Sequence, residues 1–419
     1  MIRPSNDFEV IVMSMFFTLA GYELKKTLCK KRTVIVLTLV ILLGAVSVFG
    51  TIIGSYTYTD ENGNAVTVSR YEEEMTDRRN AESLSGRTID ADLIMEAAAA
   101  YSAVPLSGST RYIDTSEYQD RARRYSEIYH IVRRVYGLDS IEEFQALTRG
   151  QAEQFDRIRR ENRAYIEHSD RSEALKAYWN ACLDKSPQTL TYAYSGGYDR
   201  FVTIMYTTAI MAGAAIAILL SGIFSGEYAS GADSLILSSK HGKGLVIAAK
   251  LFTAFVISLA LILLLTAVSY AETMLVWGCG GADADLSLMG EMFPYPLTIG
   301  QSTLLYVLCM TMACLLFAAV TAACSALLRS PFNTIVIMSL LLIVPMFIAV
   351  PDGSPAWVYC LENLLPTNMM AFWGALYNYQ YEIFGLVIPP YAALPIFAAA
   401  VSVICCFAAY RGFRRHQVR

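Results

Sequence analysis

Six stretches of this chain are apolar, carry no charge and approach or exceed the thickness of a bilayer: Thr33–Tyr56, Phe201–Ser225, Leu251–Ala271, Leu304–Leu328, Phe332–Val350 and Pro389–Tyr410. A helix needs about 20 apolar residues to cross the hydrocarbon core, and at a rise of about 1.5 Å per residue each run reaches roughly 30 Å. The fold class this predicts is an all-α polytopic membrane protein with six transmembrane helices and both termini on the same side. Composition agrees. Of the 419 residues 55% are hydrophobic, mean hydropathy is +0.40 and only 17% are charged, against about 25% charged in an average globular chain. The charge that exists is concentrated in residues 57–200, so the net −4 averages two unlike parts.

Lysine and arginine set the orientation. Outside 57–200 the basic residues include Lys25, Lys26, Lys30, Lys31, Arg32, Lys240, Lys243, Lys250, Arg329, Arg411, Arg414 and Arg415. All fall on one face if both termini are cytoplasmic. The loops on the other face, about 279–300 and 351–388, hold Asp283, Asp285, Glu291, Asp352, Glu362 and Glu382 and no Lys or Arg. The basic residues of 57–200 do not conflict, because long domains translocate largely regardless of charge. A cleaved signal peptide is the alternative for the first run, against which stands the long stretch before it. Met13 or Met15 is an alternative start, since Met1–Val12 differs in character from the residues after it. The expected location is the cell membrane.

Residues 1–32 hold an apolar stretch, Phe8–Leu28, that ends in Glu23-Leu24-Lys25-Lys26. It reads as an amphipathic helix on the inner leaflet, with Lys30-Lys31-Arg32 at the anionic lipid surface; an ordinary charged flank is the plain alternative. The first span is expected at 33–56 and an extracellular, mostly helical domain at 57–200. There Asp60-Glu61-Asn62-Gly63-Asn64 is turn material. Tyr125, Ile128, Tyr129, Val132, Val135 and Tyr136 recur at helical spacing, Gly137 suits a helix end, and Ser140 with Glu143 suits a capping box. A second helical stretch is expected through Phe144, Leu147, Phe155, Ile158, Tyr165 and Ile166. Its Arg/Glu-rich faces read as solvated surface, with a ligand site there as the sharper alternative.

Spans two to six are expected within 201–419. In the second, Ala209, Gly213, Ala217 and Ser221 recur every four residues, spacing that lets helices approach closely; this serves helix packing or a dimer interface equally well. Between the last two spans, 359–388 is aromatic and apolar but broken by Pro366, Asn368, Gly374 and Asn378. Exposed to lipid, such a break would strand backbone groups, so a re-entrant pair of short helices in the outer leaflet is expected.

Catalytic chemistry finds little support. Glu272, near an end of the third span, is the main ionisable group in a membrane run and reads as structural. His130, His168, His241 and His416 are far apart and outside the spans, so no metal site and no catalytic residue is expected. Among the cysteines no CxxC occurs; Cys182, Cys279 and Cys360, predicted outside, leave room for one disulfide. Coupling groups of the kind secondary transporters place at the bilayer midplane are missing, and so is a GxxxxGK[ST] phosphate loop. If the chain moves a solute, the energy must arrive from a partner across the cytoplasmic surface, and no cofactor bound by the chain itself is expected.

The polar loop FSGEYASGADSLILSSKHGKGLVIAAK, Phe224 to Lys250, is where such a partner would press. It has Glu227, Gly226 and Gly231 and a basic end at Lys240, Lys243 and Lys250. Together with AGYELKKTLCKKRTVIVLTLV before it and NLLPTNMM after it, this loop resembles the permease subunits of ABC-2 type ATP-binding-cassette transporters, in the branch with a large extracellular domain between spans one and two. The chain departs from the family at Ser239-Lys240-His241-Gly242-Lys243, where proline and arginine are common. The resemblance implies a dimer of permeases, identical or not, working with separate ATPase subunits that carry ATP and Mg. It also implies contacts to that ATPase from the N-terminal helix (Glu23, Lys25, Lys26) and the 226–244 loop (Glu227, Gly231, Ser238, Ser239, Lys243). Membrane lipids are further partners and nucleic acid is not. The expected function is export of a hydrophobic or amphipathic substrate. The competing reading is an ATPase-free receptor or envelope-assembly scaffold acting through its extracellular domain.

Overall fold

The structure is a computed structural model and describes residues 6–105, 111–164, 172–239, 242–289, 295–351, 353–377 and 379–415. Tyr165, Ile166, His168, Lys240, His241, Glu291, Asp352, Asn378 and His416 lie outside the described residues.

The chain is predominantly helical. It opens with α1 (Asn6–Leu28) and α2 (Lys31–Ile52) and enters an inserted domain through a hairpin of β1 (Ser55–Thr59) and β2 (Ala65–Ser69). The domain continues as α3 (Arg70–Glu82), α4 (Ala91–Tyr101), α5 (Ser126–Tyr136), α6 (Ile141–Gln145), α7 (Arg149–Ala152), α8 (Phe155–Ala164) and α9 (Glu173–Lys185). The bundle resumes with α10 (Gly196–Leu220), two short helices α11 (Ser225–Ser230) and α12 (Ala232–Ser238), then α13 (Ile247–Trp277), α14 (Ile299–Leu328) and α15 (Pro331–Ile343). Three short helices come next, α16 (Ala356–Asn363), α17 (Pro366–Met369) and α18 (Phe372–Ala375), then a second hairpin, β3 (Tyr381–Ile383) and β4 (Leu386–Ile388), and finally α19 (Pro390–Arg414).

Helix α10 is the buried centre, packed on α2, α13, α14 and α15, while α14 lies along α19. The rim helices α2 and α19 leave Leu39, Leu42, Val46, Val403, Ile404 and Phe407 exposed. Apolar surface on this scale is not tolerated in water; its natural solvent is lipid. Five helices among the described residues are long and apolar enough to cross a membrane. The run expected as the fifth span, Phe332–Val350, is shorter: it folds as α15 continued by a 3-10 turn, Pro331–Phe347 in all. Pro345 lies inside that turn and has no N–H to carry an α-helix further. The first span also ends early, at Ile52 rather than Tyr56, where Gly54 takes φ 120° and Ser55 starts a strand.

That strand corrects the all-α expectation. Asp60 does sit in a turn, its Oδ1 accepting from the amides of Asn62 (3.0 Å) and Asn64 (2.7 Å). The flanks SYTYT and AVTVS alternate and pair antiparallel, Ser55 opposite Ser69. Ser69 then caps α3 in a capping box with Glu72. The core of the domain joins Leu93, Ile94 and Ala97 of α4 to Ile128 and Val132 of α5, with Tyr101, Tyr129 and Phe144 in ring contact at 4.9–5.3 Å. Each such aliphatic side chain contributes about 1.5–3 kcal/mol by leaving water. Gly137 closes α5 in the left-handed region, φ 66°. Ser140 accepts from the Glu143 amide, but Glu143 reaches back to the amide of Asp139 instead, so the box is half formed. The chain beyond it forms three short helices rather than one, because Thr148 with Gln151 starts a new capped turn.

Between α15 and α19 the polar side chains Asn363, Thr367 and Asn368 bond Gly374 O (2.9 Å), Leu342 O (2.7 Å) and Glu362 O (2.9 Å). Three carbonyls in and beside this broken segment therefore have side-chain partners. The segment holds three short helices and a hairpin instead of a helix pair. None of the nine cysteines is disulfide-bonded, Cys182, Cys279 and Cys360 included.

Candidate functional site

Helix α10 stops at a turn, Ser221–Phe224, and the chain restarts as α11. The start of α11 is held by Ser325 of α14, whose hydroxyl accepts from the amides of Phe224 and Ser225 (3.1 Å each) and donates to Ser221 O (2.7 Å). A helix N-terminus needs partners for its free amides, and here one buried hydroxyl from another helix supplies them. Gly231, at φ 70°, breaks α11 from α12. Only glycine takes that conformation without cost.

Glu227 on α11 is 4% exposed and Lys250 on α13 is 1% exposed. Lys250 Nζ donates to Glu227 Oε1 (2.6 Å) and to Glu23 Oε2 of α1 (2.8 Å). Lys26 Nζ, half exposed, donates to the same Glu227 oxygen at 2.5 Å. Two ammonium groups and two carboxylates thus form a neutral cluster joining α1, α11 and α13, supported by the Thr253 hydroxyl on Ala20 O (3.3 Å). Breaking one partner of a buried pair leaves an uncompensated charge, a loss of about 3–5 kcal/mol. Close by, Lys30 is held below its usual lysine value, first by burial and then by Arg32, Lys26 and Lys250, with Glu227 partly offsetting them.

The other loop residues take different places. Lys25 is exposed and Lys243 is exposed, but the Lys243 carbonyl accepts from Tyr410 at the end of α19 (3.1 Å). Ser238 and Ser239 bond back onto Leu235 O and Ile236 O within their own turn. Leu235 itself stands 75% exposed on α12. The end of α19 returns to the same place, Phe413 packing on Phe224 and Tyr228. The joint therefore gathers Glu23, Lys26 and Glu227 around Lys250, and leaves Lys25, Ser238, Ser239 and Lys243 outside the cluster. The sequence marks Lys250 as the basic end of the loop and as a match to a family lysine, without its partners; the missed signal is a lysine heading an otherwise apolar helix, where a buried carboxylate can hold it.

Over its described side chains, 13–28, helix α1 does not present a single apolar stripe. Ala20 and Thr27 are buried against the bundle, while Met13, Phe17 and Tyr22 point away from it and are exposed. The four-residue stripe of α10 is turned inward: Ala209, Gly213, Ala217 and Ser221 are buried within the chain itself. A β-carbon on Gly213 would stand 3.2 Å from Leu342. Within this chain these residues pack its own helices. Glu272 keeps its Oε2 buried with no hydrogen-bond partner among the described residues.

At the opposite end of the bundle a second joint ties in the inserted domain. Glu74 of α3, 9% exposed, accepts from Trp277 Nε1 (2.8 Å) and from Arg200 (3.0 and 3.1 Å to its two oxygens). Arg78 donates to Val276 O (2.9 Å). Helix α3 is thereby fixed to the first turns of α10 and the last turn of α13.

Long apolar helices with lipid-facing flanks, bolted at one end to a domain and at the other to a compact charged loop, define a multi-pass membrane permease. The chain belongs to the ABC-2 family transporter proteins, whose family model matches residues 17–373. No curated protein and no solved structure matches it.

Proposed function

We propose that this chain is the membrane-spanning subunit of an exporter, moving a hydrophobic or amphipathic substrate outward on ATP hydrolysed, with Mg, by a separate ATPase. Family members normally pair with an ATP-binding cassette ATPase. The observation that carries the reading is the buried ion cluster of Glu23, Glu227 and Lys250. A push on α11–α12 is not absorbed by a slack loop. It passes through Glu227 to α13 and α1 together, and through Ser325 to α14. Exposed Leu235, Lys25 and Lys243 are the side chains placed to meet the ATPase.

The lysine and arginine bias puts the joint and both termini in the cytoplasm and the inserted domain outside the cell, in the branch of the family with a large extracellular domain. The segment 359–388 then lies at the outer leaflet. A second permease copy completes the transporter; it docks on a surface other than the α10 stripe.

The test is reconstitution with the ATPase that co-purifies with the chain. Leu235→Glu should leave insertion and thermal stability intact while abolishing stimulation of ATP hydrolysis by the permease. Normal stimulation by this variant, or a cysteine at Ser238 that is labelled from outside intact cells, overturns the reading.

A further inference from the structure

The short hairpin β3–β4 turns through two residues, Phe384 at φ 50° and Gly385 at φ 80°. Two-residue turns with positive φ at both centres favour Asn-Gly or Gly-Gly, and a bulky side chain there is an outlier. Asparagine would make the same turn at less cost. What phenylalanine adds is a ring at the tip of the hairpin, where it is fully exposed. Backbone strain of this kind points to a function.

Its surroundings are apolar and exposed as well. Ile383 and Leu386 flank the tip, and Trp357 and Leu361 stand one turn apart on α16. Trp357, Leu361 and Ile383 line one cleft of about 550 Å³, so the exposed residues of α16 and the hairpin form a single surface. The polarity of α16 is inverted: Trp357 and Leu361 face out, while Asn363 is buried with its Nδ2 on Gly374 O. Exposed apolar patches mark a contact with protein or with lipid, and position decides between them. The segment joins the end of the α15 run, where Phe347 is exposed, to the start of α19, and both helices expose aliphatic flanks, Leu340 and Val403 among them. Strand β3 has three residues, which is about 10 Å of extended chain. Ile388, at the base of the hairpin, is followed by Pro389 and then α19, so the tip stays close to the mouth of the last span. No Lys or Arg occurs between Arg329 and Arg411, so no cation resists entry among acyl chains. A ring that protrudes this far would need a matching pocket in a protein partner; a fluid leaflet needs none.

We propose that the tip Ile383–Leu386, with Trp357 and Leu361, is a wedge embedded in the acyl chains of the leaflet beside it, the outer one in the orientation proposed above, on which the choice of leaflet rests. Tryptophan is enriched at such interfaces. The hairpin also holds the inserted domain: β4 packs on α9, and the Ser172 hydroxyl donates to Glu382 Oε2 (2.6 Å). The wedge therefore moors α9 to the lipid surface.

The experiment uses the full chain in phosphatidylcholine nanodiscs without any ATPase, the lipid carrying bromine near the head of each acyl chain. Phe384→Trp supplies the reporter, its emission taken as the difference from the parent. Asn62→Trp, at the exposed β1–β2 turn, is the water-exposed control. The Phe384→Trp emission should be blue-shifted from the control, lose most of its intensity to bromine and resist acrylamide. Emission open to acrylamide and untouched by bromine overturns the proposal. So does emission shielded from both, the result expected where a second copy covers the tip. Thermal unfolding checks the fold of each variant; where Phe384→Trp does not fold, the difference between the parent and Trp357→Phe reads the same surface. Both leaflets carry bromine, so quenching does not depend on which face is cytoplasmic; labelling of the cysteine at Ser238 reports that separately.

Discussion

The Lys250 ammonium lies 2.6 Å from Glu227 Oε1, and together with the Lys250 bond to Glu23 this contact turns three separate stretches of chain into one mechanical unit. Lys250 opens the third apolar run and Glu227 closes the second. Neither can lose its partner without leaving a charge in a place that water barely reaches.

Lys250→Met should therefore lower stability by about 3–5 kcal/mol, read by unfolding of the detergent-solubilised chain. Adding Glu227→Gln should recover part of that loss, since the second charge is then gone as well. Lys26→Ala, at a half-exposed position, should cost under about 1 kcal/mol. A Lys250→Met protein as stable as the parent would show that the cluster contributes nothing net.

Glu74→Ala removes the acceptor shared by Trp277 and Arg200. Leaving such donors unmet costs about 1–3 kcal/mol each when buried. The expected result is release of α3 from the bundle, seen as faster proteolysis between β2 and α4 and a shifted tryptophan emission. Unchanged cleavage would mean that the domain is held elsewhere.

Gly197 of α10 sits against the residue that follows α13: an added β-carbon would stand 2.0 Å from the Gly278 carbonyl oxygen. Gly197→Ala should destabilise by about 1–3 kcal/mol, as overpacking does. Gly226 on α11 has nothing within 4 Å of the same atom, so Gly226→Ala should be neutral or gain up to about 1 kcal/mol from helix propensity. Comparable melting of the two variants would contradict the close contact.

His130 titrates below its ordinary value, pushed down first by burial and then by Arg134 and Arg133. The folded state thus resists the proton that the unfolded chain accepts. As pH falls below about 6.5, this residue progressively subtracts stability from the inserted domain until it is charged in both states. A proton NMR titration, with His130→Gln to assign the signal, should give a midpoint below about 6.5; a midpoint at or above that value refutes the environment described.

Much of the bundle is legible in the sequence, because lipid-length uncharged runs admit few alternatives. The polar loop, the glycine break at Gly231 and the acid at Glu227 are equally visible as local signals. Pairing at a distance is not. Nothing local says that Lys250 would meet Glu23, 227 positions earlier, or that the small-residue face from Ala209 to Ser221 would turn inward. The β1–β2 hairpin escapes notice because its strands are short and rich in Tyr and Thr, which carry alternation less plainly than Val and Leu. The shortened helix after Pro331 is hidden for the opposite reason: hydrophobicity continues past Phe347 although the α-helix does not.

That shortened helix has a consequence for the surrounding lipid. Pro331–Phe347 is 17 residues, about 26 Å at roughly 1.5 Å per residue, whereas neighbouring α14 has 30 residues. Bilayer hydrocarbon is about 30 Å thick, and a short hydrophobic helix draws it thinner at a modest cost per ångström. Acyl chains beside α15 would be compressed relative to those beside α14, leaving a dent in the membrane on one flank of the transporter.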